Sequence, residues 1–210
     1  MSRGVPAAED VGGGLRTRCM LPGRDIEYVA TDADEDLTSL AKLAGQVAGE
    51  VSVTWFTVPT TEPARAVAAL EAAGMILLKS SERLMAVELR ERPWSVPEAY
   101  QLATRVDTLH GGRVVTATVR HESGEVGARG TMGLTGTDAI ADRIETMPAH
   151  RRRGLASAVM SALAGCAIAE GAEHGILVAS EEGRPLYTTL GWRPVADVLI
   201  VATPGTAYPS

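Results

Sequence analysis

The sequence predicts an α/β fold of the α+β kind, with strands and helices interleaved, and three observations carry that prediction. Residues 138–147 intersperse apolar with polar positions and stop at Pro148, as a strand does. The run Arg151-Arg152-Arg153-Gly154-Leu155-Ala156 follows, and Leu155, Val159, Leu163 and Ala167 then recur at i, i+4, i+8 and i+12. That spacing predicts an amphipathic helix to about Gly171. Finally, the order helix, strand, helix, glycine plus large apolar residue, strand occurs over 34–89 and again over 153–202. Leu70, Gly74 and Met75 fall where Tyr187, Gly191 and Trp192 fall in the second copy. The repeat reads either as a degenerate half of the same fold or as convergent α/β patterning.

The elements follow in order. Residues 1–22, rich in Gly, Ala and Arg, read as a flexible lead-in. A short strand at 26–30 precedes an acidic helix start at 32–36, where negative charge complements the helix dipole, and Leu37, Leu40, Ala44 and Val47 continue at helical spacing. Residues 51–58 read as a strand and 62–73 as a helix stopped by Gly74. Residues 75–89 supply one or two further strands, and 90–97 form a charged, proline-bearing linker. An extended stretch at 99–107 comes next. Residues 114–121 alternate and are β-branched, Ser123-Gly124 turns, and 126–134 returns as the hairpin partner. After the arginine loop and its helix come a strand at 175–179, a short helix at 183–190 and a strand at 192–202. The resulting division is a lead-in (1–22), an N-terminal part (23–92), a second domain (93–203) and a tail (204–210).

Composition restricts the function classes. The net charge of −6 argues against a nucleic-acid partner, because phosphate binding needs a basic surface. Eighteen arginines against two lysines point to the codon bias of a GC-rich, bacterial-like genome. Two cysteines make no disulfide framework, and Cys166 reads as a small core residue rather than a nucleophile. Residues 1–22 hold no apolar signal segment, and the longest apolar run, 154–169, is too short and serine-broken to span a bilayer. The expectation is a cytoplasmic protein with no membrane partner. His110, His121 and His174 lack metal-ligand spacing, so no metal is expected.

Arginines and a glycine at a helix start present free backbone N–H groups and the positive end of the dipole, which suits phosphate anions. Gly154 allows close backbone approach, and Ala156 keeps the first turn uncrowded. The alternative reading is a solvated arginine cluster. Residues 147–156 read MPAHRRRGLA and 180–192 read SEEGRPLYTTLGW. Together they resemble the GNAT N-acetyltransferase superfamily, whose acyl-CoA site carries Arg/Gln-x-x-Gly-x-Gly/Ala and later Asn-x-x-Ala-x-x-Leu-Tyr-x-x-Leu-Gly-Phe. Leu186, Tyr187, Leu190 and Gly191 match outright, whereas Ser180, Gly183 and Trp192 replace Asn, Ala and Phe. The resemblance covers 112–203 and implies a mixed β-sheet, flanked by helices, that splays apart to admit the CoA arm. It departs from the family between 107 and 114, where two helices of the acceptor wall have no room. Either the N-terminal part supplies that wall, the preferred reading, or the pocket is open.

The resemblance also implies roles. Arg151, Arg152, Arg153, Gly154, Leu155 and Ala156 would grip the pyrophosphate, and the backbone of Thr146 and Met147 would pair with the pantetheine. Ser180 and Gly183 would touch the CoA arm, though Ser180 could equally cap a helix. Tyr187 is the candidate acid for the departing thiolate, with a core aromatic as its alternative. A phenol of pKa roughly 10 is protonated at neutral pH and can donate. Glu145 and Asp142 are the candidate bases. Three apart on a strand, they point to opposite faces unless a bulge intervenes. His150, beside the loop, is expected to serve the loop. The implied activity is acetyl-CoA-dependent acetyl transfer directly to an amine, a small molecule by preference or a protein amine. The alternative is a non-catalytic acyl-CoA-binding sensor. The chain leaves oligomeric state open, a homodimer among the options.

Overall fold

The computed structural model describes residues 8–109 and 112–208, which fall into two compact units. The first holds residues up to 84, residues 179–181 and the chain from 194 onward. Its elements are β1 (Glu9–Asp10), β2 (Gly14–Leu21), β3 (Arg24–Ala30), α1 (Leu37–Ala48), β4 (Thr54–Thr60), α2 (Pro63–Ala72), the first part of β5 (Ile76–Glu88) and β11 (Arg193–Ala202). Strands β3 and β4 run parallel, joined by α1, and the sheet order in this unit is β1-β2-β3-β4-β11-β5. Leu40, Leu43 and Val47 of α1 and Leu70 of α2 close over Phe56, Val58 and Leu199 to make its core.

Two expectations are corrected here. The lead-in is not all flexible coil, because β2 pairs antiparallel with β3 from Gly14↔Ala30 onward. Gly12 and Gly13 take positive φ to make the turn before it, and a Cβ on Gly13 would collide with Ser39 Oγ of α1. The first seven residues of the expected lead-in lie outside the described residues. The last strand, β11, which the sequence assigns to the second domain, lies in the first unit. It pairs antiparallel with β4 from Asp197↔Thr60 to Val201↔Phe56.

The second unit spans 85–178 and 182–193. It contains the end of β5, β6 (Tyr100–Leu109), β7 (Gly112–His121), β8 (Val126–Thr135), β9 (Asp138–Thr146), a 3-10 turn (Pro148–His150), α3 (Leu155–Ala169), β10 (His174–Ala179) and α4 (Arg184–Thr189). Its sheet order is β5-β10-β9-β8-β7-β6. Strands β6 to β9 form an antiparallel meander, and α3 carries the chain from β9 to the parallel β10. Among the described residues no helix separates β6 from β7; His110 and Gly111 between them lie outside that set.

Helix α3 packs close over β8 at Gly130, where no side chain intervenes. A Cβ on Gly130 would stand 3.0 Å from Val159 Cγ1 and 3.2 Å from Leu163 Cδ1. The helix is less amphipathic than its spacing suggests: Leu155, the whole run from Ala158 to Leu163, and Ala167 are buried. Among the described residues, no helix is long and apolar enough to cross a membrane.

Candidate active site

The site is built where β9 and β10 separate. They pair only at His174↔Asp138, Gly175↔Ala139 and Ile176↔Ile140, although β9 continues to Thr146. Beyond Ile140 one edge of β9 therefore has no strand beside it. Its other edge keeps bonding to β8, through a bulge in which Arg143 and Ile144 oppose Gly130 alone. Arg143 takes φ +54°, a left-handed conformation that costs a non-glycine residue free energy. The bulge resolves the question of the two carboxylates. Asp142 pairs with Thr131 and Glu145 with Arg129, two residues apart on β8, so both acids share one face of the sheet.

Their surroundings differ. Glu145 Oε2 accepts from Arg129 Nε at 3.0 Å and from its Nη2 at 2.8 Å. Asp142 Oδ1 accepts the N–H of Arg143 at 2.8 Å. Tyr187, on α4, is 8% exposed and stands edge-on to Trp192, with ring centroids 6.3 Å apart. Burial raises its phenol pKa, and the negative charge of Asp142 raises it further. The fold thus brings Asp142 within electrostatic reach of Tyr187 and leaves that phenol protonated at neutral pH.

The arginine loop enters α3 through two left-handed residues, Arg152 at φ +63° and Gly154 at φ +75°. Gly154 is the N-cap and offers no capping side chain, the first turn carries no acidic residue, and Ala158 N–H is bonded to Gly154 O at 3.1 Å. A helix start without a side-chain cap is disposed to take an anion. Arg151 and Arg152 are exposed. Arg151 reaches toward Glu182 at 3.7 Å and toward Thr146 O at 3.5 Å.

Arg153 does something else. Its Nη1 donates to Tyr100 Oη at 2.8 Å, and its Nη2 reaches Ala149 O at 3.4 Å. Tyr100 Oη also shares a hydrogen bond with His150 Nδ1 at 2.8 Å, and the other ring nitrogen, Nε2, lies 3.8 Å from Glu125. His150 is 7% exposed. The side chain of Arg153 therefore braces the loop from behind through Tyr100 and His150. Sequence reasoning attached His150 to the loop and missed Tyr100, which lies fifty residues earlier.

The remaining candidates are placed as follows. Met147 does not present its backbone to a ligand: its N–H donates to Gly127 O at 2.9 Å and its carbonyl accepts from His150 N–H at 2.8 Å. Strand alternation turns the backbone of Thr146 to the opposite, open edge. Leu155 buries its side chain against β8, and Ala156 is half-buried, so each offers a ligand chiefly its N–H. Gly183 is the N-cap of α4. Ser180 is exposed on the connection from β10 to α4, in the short stretch that goes with the first unit.

A cleft of about 380 Å³ opens beside the start of α3. Gly154, Ser157 and Ser161 form one side, Leu190 another, and the linker residues Arg92, Pro93, Trp94 and Ser95 complete it.

No protein-family model matches the chain, and no curated protein matches it in sequence. Solved structures do match it. A GCN5-related N-acetyltransferase from Kribbella flavida superposes with a TM-score of 0.66 at 18% identity, over 95% of this chain and 90% of that one. A tandem GNAT protein from the clavulanic acid biosynthesis pathway gives 0.64 at 14% identity, over 96% and 82%. A GCN5-related N-acetyltransferase from Sphaerobacter thermophilus gives 0.62 at 12% identity, over 90% and 76%. With its parted strands, its bulge and its glycine-led helix, the chain has the fold of the GNAT acetyltransferases.

Proposed function

We propose that the protein is an acetyltransferase that moves an acetyl group from acetyl-CoA directly to an amine. The observation that carries this reading is a coincidence in space. The parting of β9 and β10, a glycine-led helix start flanked by exposed arginines, and a buried protonated tyrosine all fall within one unit. Each is needed for a different part of the reaction. The first turn of α3, with Arg151 and Arg152, binds the donor's pyrophosphate, and this remote binding energy aligns the thioester. The open edge of β9 at Thr146 hydrogen-bonds the pantetheine. The amine nitrogen attacks the thioester carbonyl carbon, the C–N bond forms as the C–S bond breaks, and the amine proton leaves to a base. Tyr187 gives its proton to the departing sulfur.

Asp142 is our assignment for the base, directly or through water. It shares the sheet face of Glu145 and adds to the upward shift of the Tyr187 pKa; Glu145 is held by two N–H bonds from Arg129, whereas Asp142 has the longer contact with Arg143 Nε at 3.4 Å. The acceptor is proposed to be a small-molecule amine and the setting cytoplasmic; the net charge of −6 suits a cationic acceptor.

The test is thermal unfolding with acetyl-CoA, and with ATP as an anion control. A ligand at 100 times its Kd adds about 2.7 kcal/mol of stability. The expected result is a shift with acetyl-CoA and none with ATP, followed by thiol release when amines are supplied. No shift at millimolar acetyl-CoA would sink the reading, and a shift without thiol release from any amine would leave a binding module.

A further inference from the structure

We propose that the linker between β5 and β6 forms the nucleotide end of the donor site, with Trp94 stacking on the adenine and Arg92 pairing with a phosphate. The inference rests on the donor reading above and adds residues from outside both sequence motifs.

The cleft described above begins at Gly154, where the phosphates are assigned. It continues along the face of α3 marked by Ser157 and Ser161, one and two turns further on. Its volume of about 380 Å³ falls within the range of small-molecule sites, roughly 300–1,000 Å³. The wall facing α3 is the linker. Trp94 lines the cleft and remains 46% exposed, whereas Trp55 and Trp192 are buried. An indole left in water on the wall of a cleft is a stacking platform for a base, and any base offers a π-face to it.

Arg92 is the second component. Its near neighbour Arg90 is paired with Glu88 at 2.9 Å, but Arg92 is directed elsewhere. Its Nη2 lies 2.9 Å from where a Cβ on Gly191 would stand, so the guanidinium crosses the turn that ends α4 and lines the same cleft. Gly191 therefore has two reasons to be glycine: φ of +84°, and room for this arginine. A guanidinium can engage a phosphate through two parallel N–H bonds. The linker also lies along this face of α3, where Leu89, Arg90 and Arg92 line a smaller cavity with Met160, Ser161 and Ala164.

The experiment uses the full chain and three probes: acetyl-CoA, acetyl-pantetheine, which lacks the nucleotide, and adenosine 3′,5′-bisphosphate, which is the nucleotide alone. Binding is measured by calorimetry and by tryptophan emission. The bisphosphate is expected to quench the emission of wild type and not of Trp94→Ala. Trp94→Ala and Arg92→Ala should each raise the Kd for acetyl-CoA about tenfold, in line with base stacking and phosphate contacts. Neither should change the affinity for acetyl-pantetheine, and Trp94→Phe should restore most of the loss. Unchanged acetyl-CoA affinity in both alanine variants overturns the proposal. So does tighter binding, which would make the linker an obstruction in the cleft. Failure of wild type to bind acetyl-CoA at all is a different result and removes the donor reading itself.

Discussion

Helices α1 and α3 do the same topological task, each joining two parallel strands, yet their first turns are chemical opposites. Asp36 caps α1 and its carboxylate accepts the Thr38 N–H at 2.8 Å, with Asp32, Asp34 and Glu35 just before it. Gly154 starts α3 with no side-chain cap, after three arginines. The strands differ in step. β3 pairs with β4 as far as Val29↔Thr57, one residue short of its end at Ala30, whereas β9 loses β10 at Ile140 and runs on to Thr146. A closed cap comes with closed strands and an open cap with parted ones. The fold alone therefore does not make a donor site.

The most severe way to break this contrast is to give α3 what α1 has. Gly154→Glu places a carboxylate at the anion position and forces a side chain into φ +75°. The expected result is loss of acetyl-CoA binding by more than about 100-fold, since repulsion at the helix start adds to lost N–H contacts. Calorimetry on protein shown to be folded by circular dichroism is the check, and retained affinity would remove the loop from the donor site. Substitutions at the chemical end should separate binding from turnover. Tyr187→Phe and Asp142→Asn are each expected to lower kcat about 100-fold, in the range of general acid–base catalysis, with acetyl-CoA affinity nearly unchanged. Glu145→Gln should stay within a few-fold of wild type. A larger loss at Glu145 than at Asp142 would exchange their roles.

Most of the elements were legible because their signals are local. Leu37, Leu40, Ala44 and Val47 announce α1, the alternation in 114–121 announces β7, and the loop before α3 is recognisable from six consecutive residues. What depends on partners distant in sequence was not. Nothing in the pattern of 193–202 says that β11 pairs with β4, because alternation fixes faces and not neighbours. The Tyr100–His150–Arg153 brace joins an edge strand to a loop fifty residues later, with no period to betray it. The bulge at Arg143 left no sign in the sequence either, although it decides that Asp142 and Glu145 share a face. The glycines at 12 and 13 misled for a physical reason. Glycine runs suggest flexibility, but here they serve a fixed turn under α1.

The smallest effect separates the two units by acid. Three carboxylates of the first unit have pKa values below their ordinary range. Asp34 is raised by burial, but hydrogen bonds from Thr60 and Thr61 outweigh that and lower it. Asp36 is lowered by the Thr38 N–H, and Glu50 by the hydrogen bond from Arg16. Each therefore binds a proton more readily in the unfolded chain than in the folded one, so its stabilisation is complete above the unfolded pKa of about 4. As pH falls through that value toward the lower folded pKa, the stabilisation is lost. Hydrogen exchange read by mass spectrometry at pH 7 and pH 3, after correction for the intrinsic rate, should show α1, β2 and β3 losing more protection than α3, β7 and β8, which hold none of these three carboxylates. Equal loss in both sets would mean that these caps and ion pairs contribute no differential stability. Asp36→Asn, which keeps a capping oxygen but no titrating group, should then blunt the loss over α1 without altering its protection at pH 7.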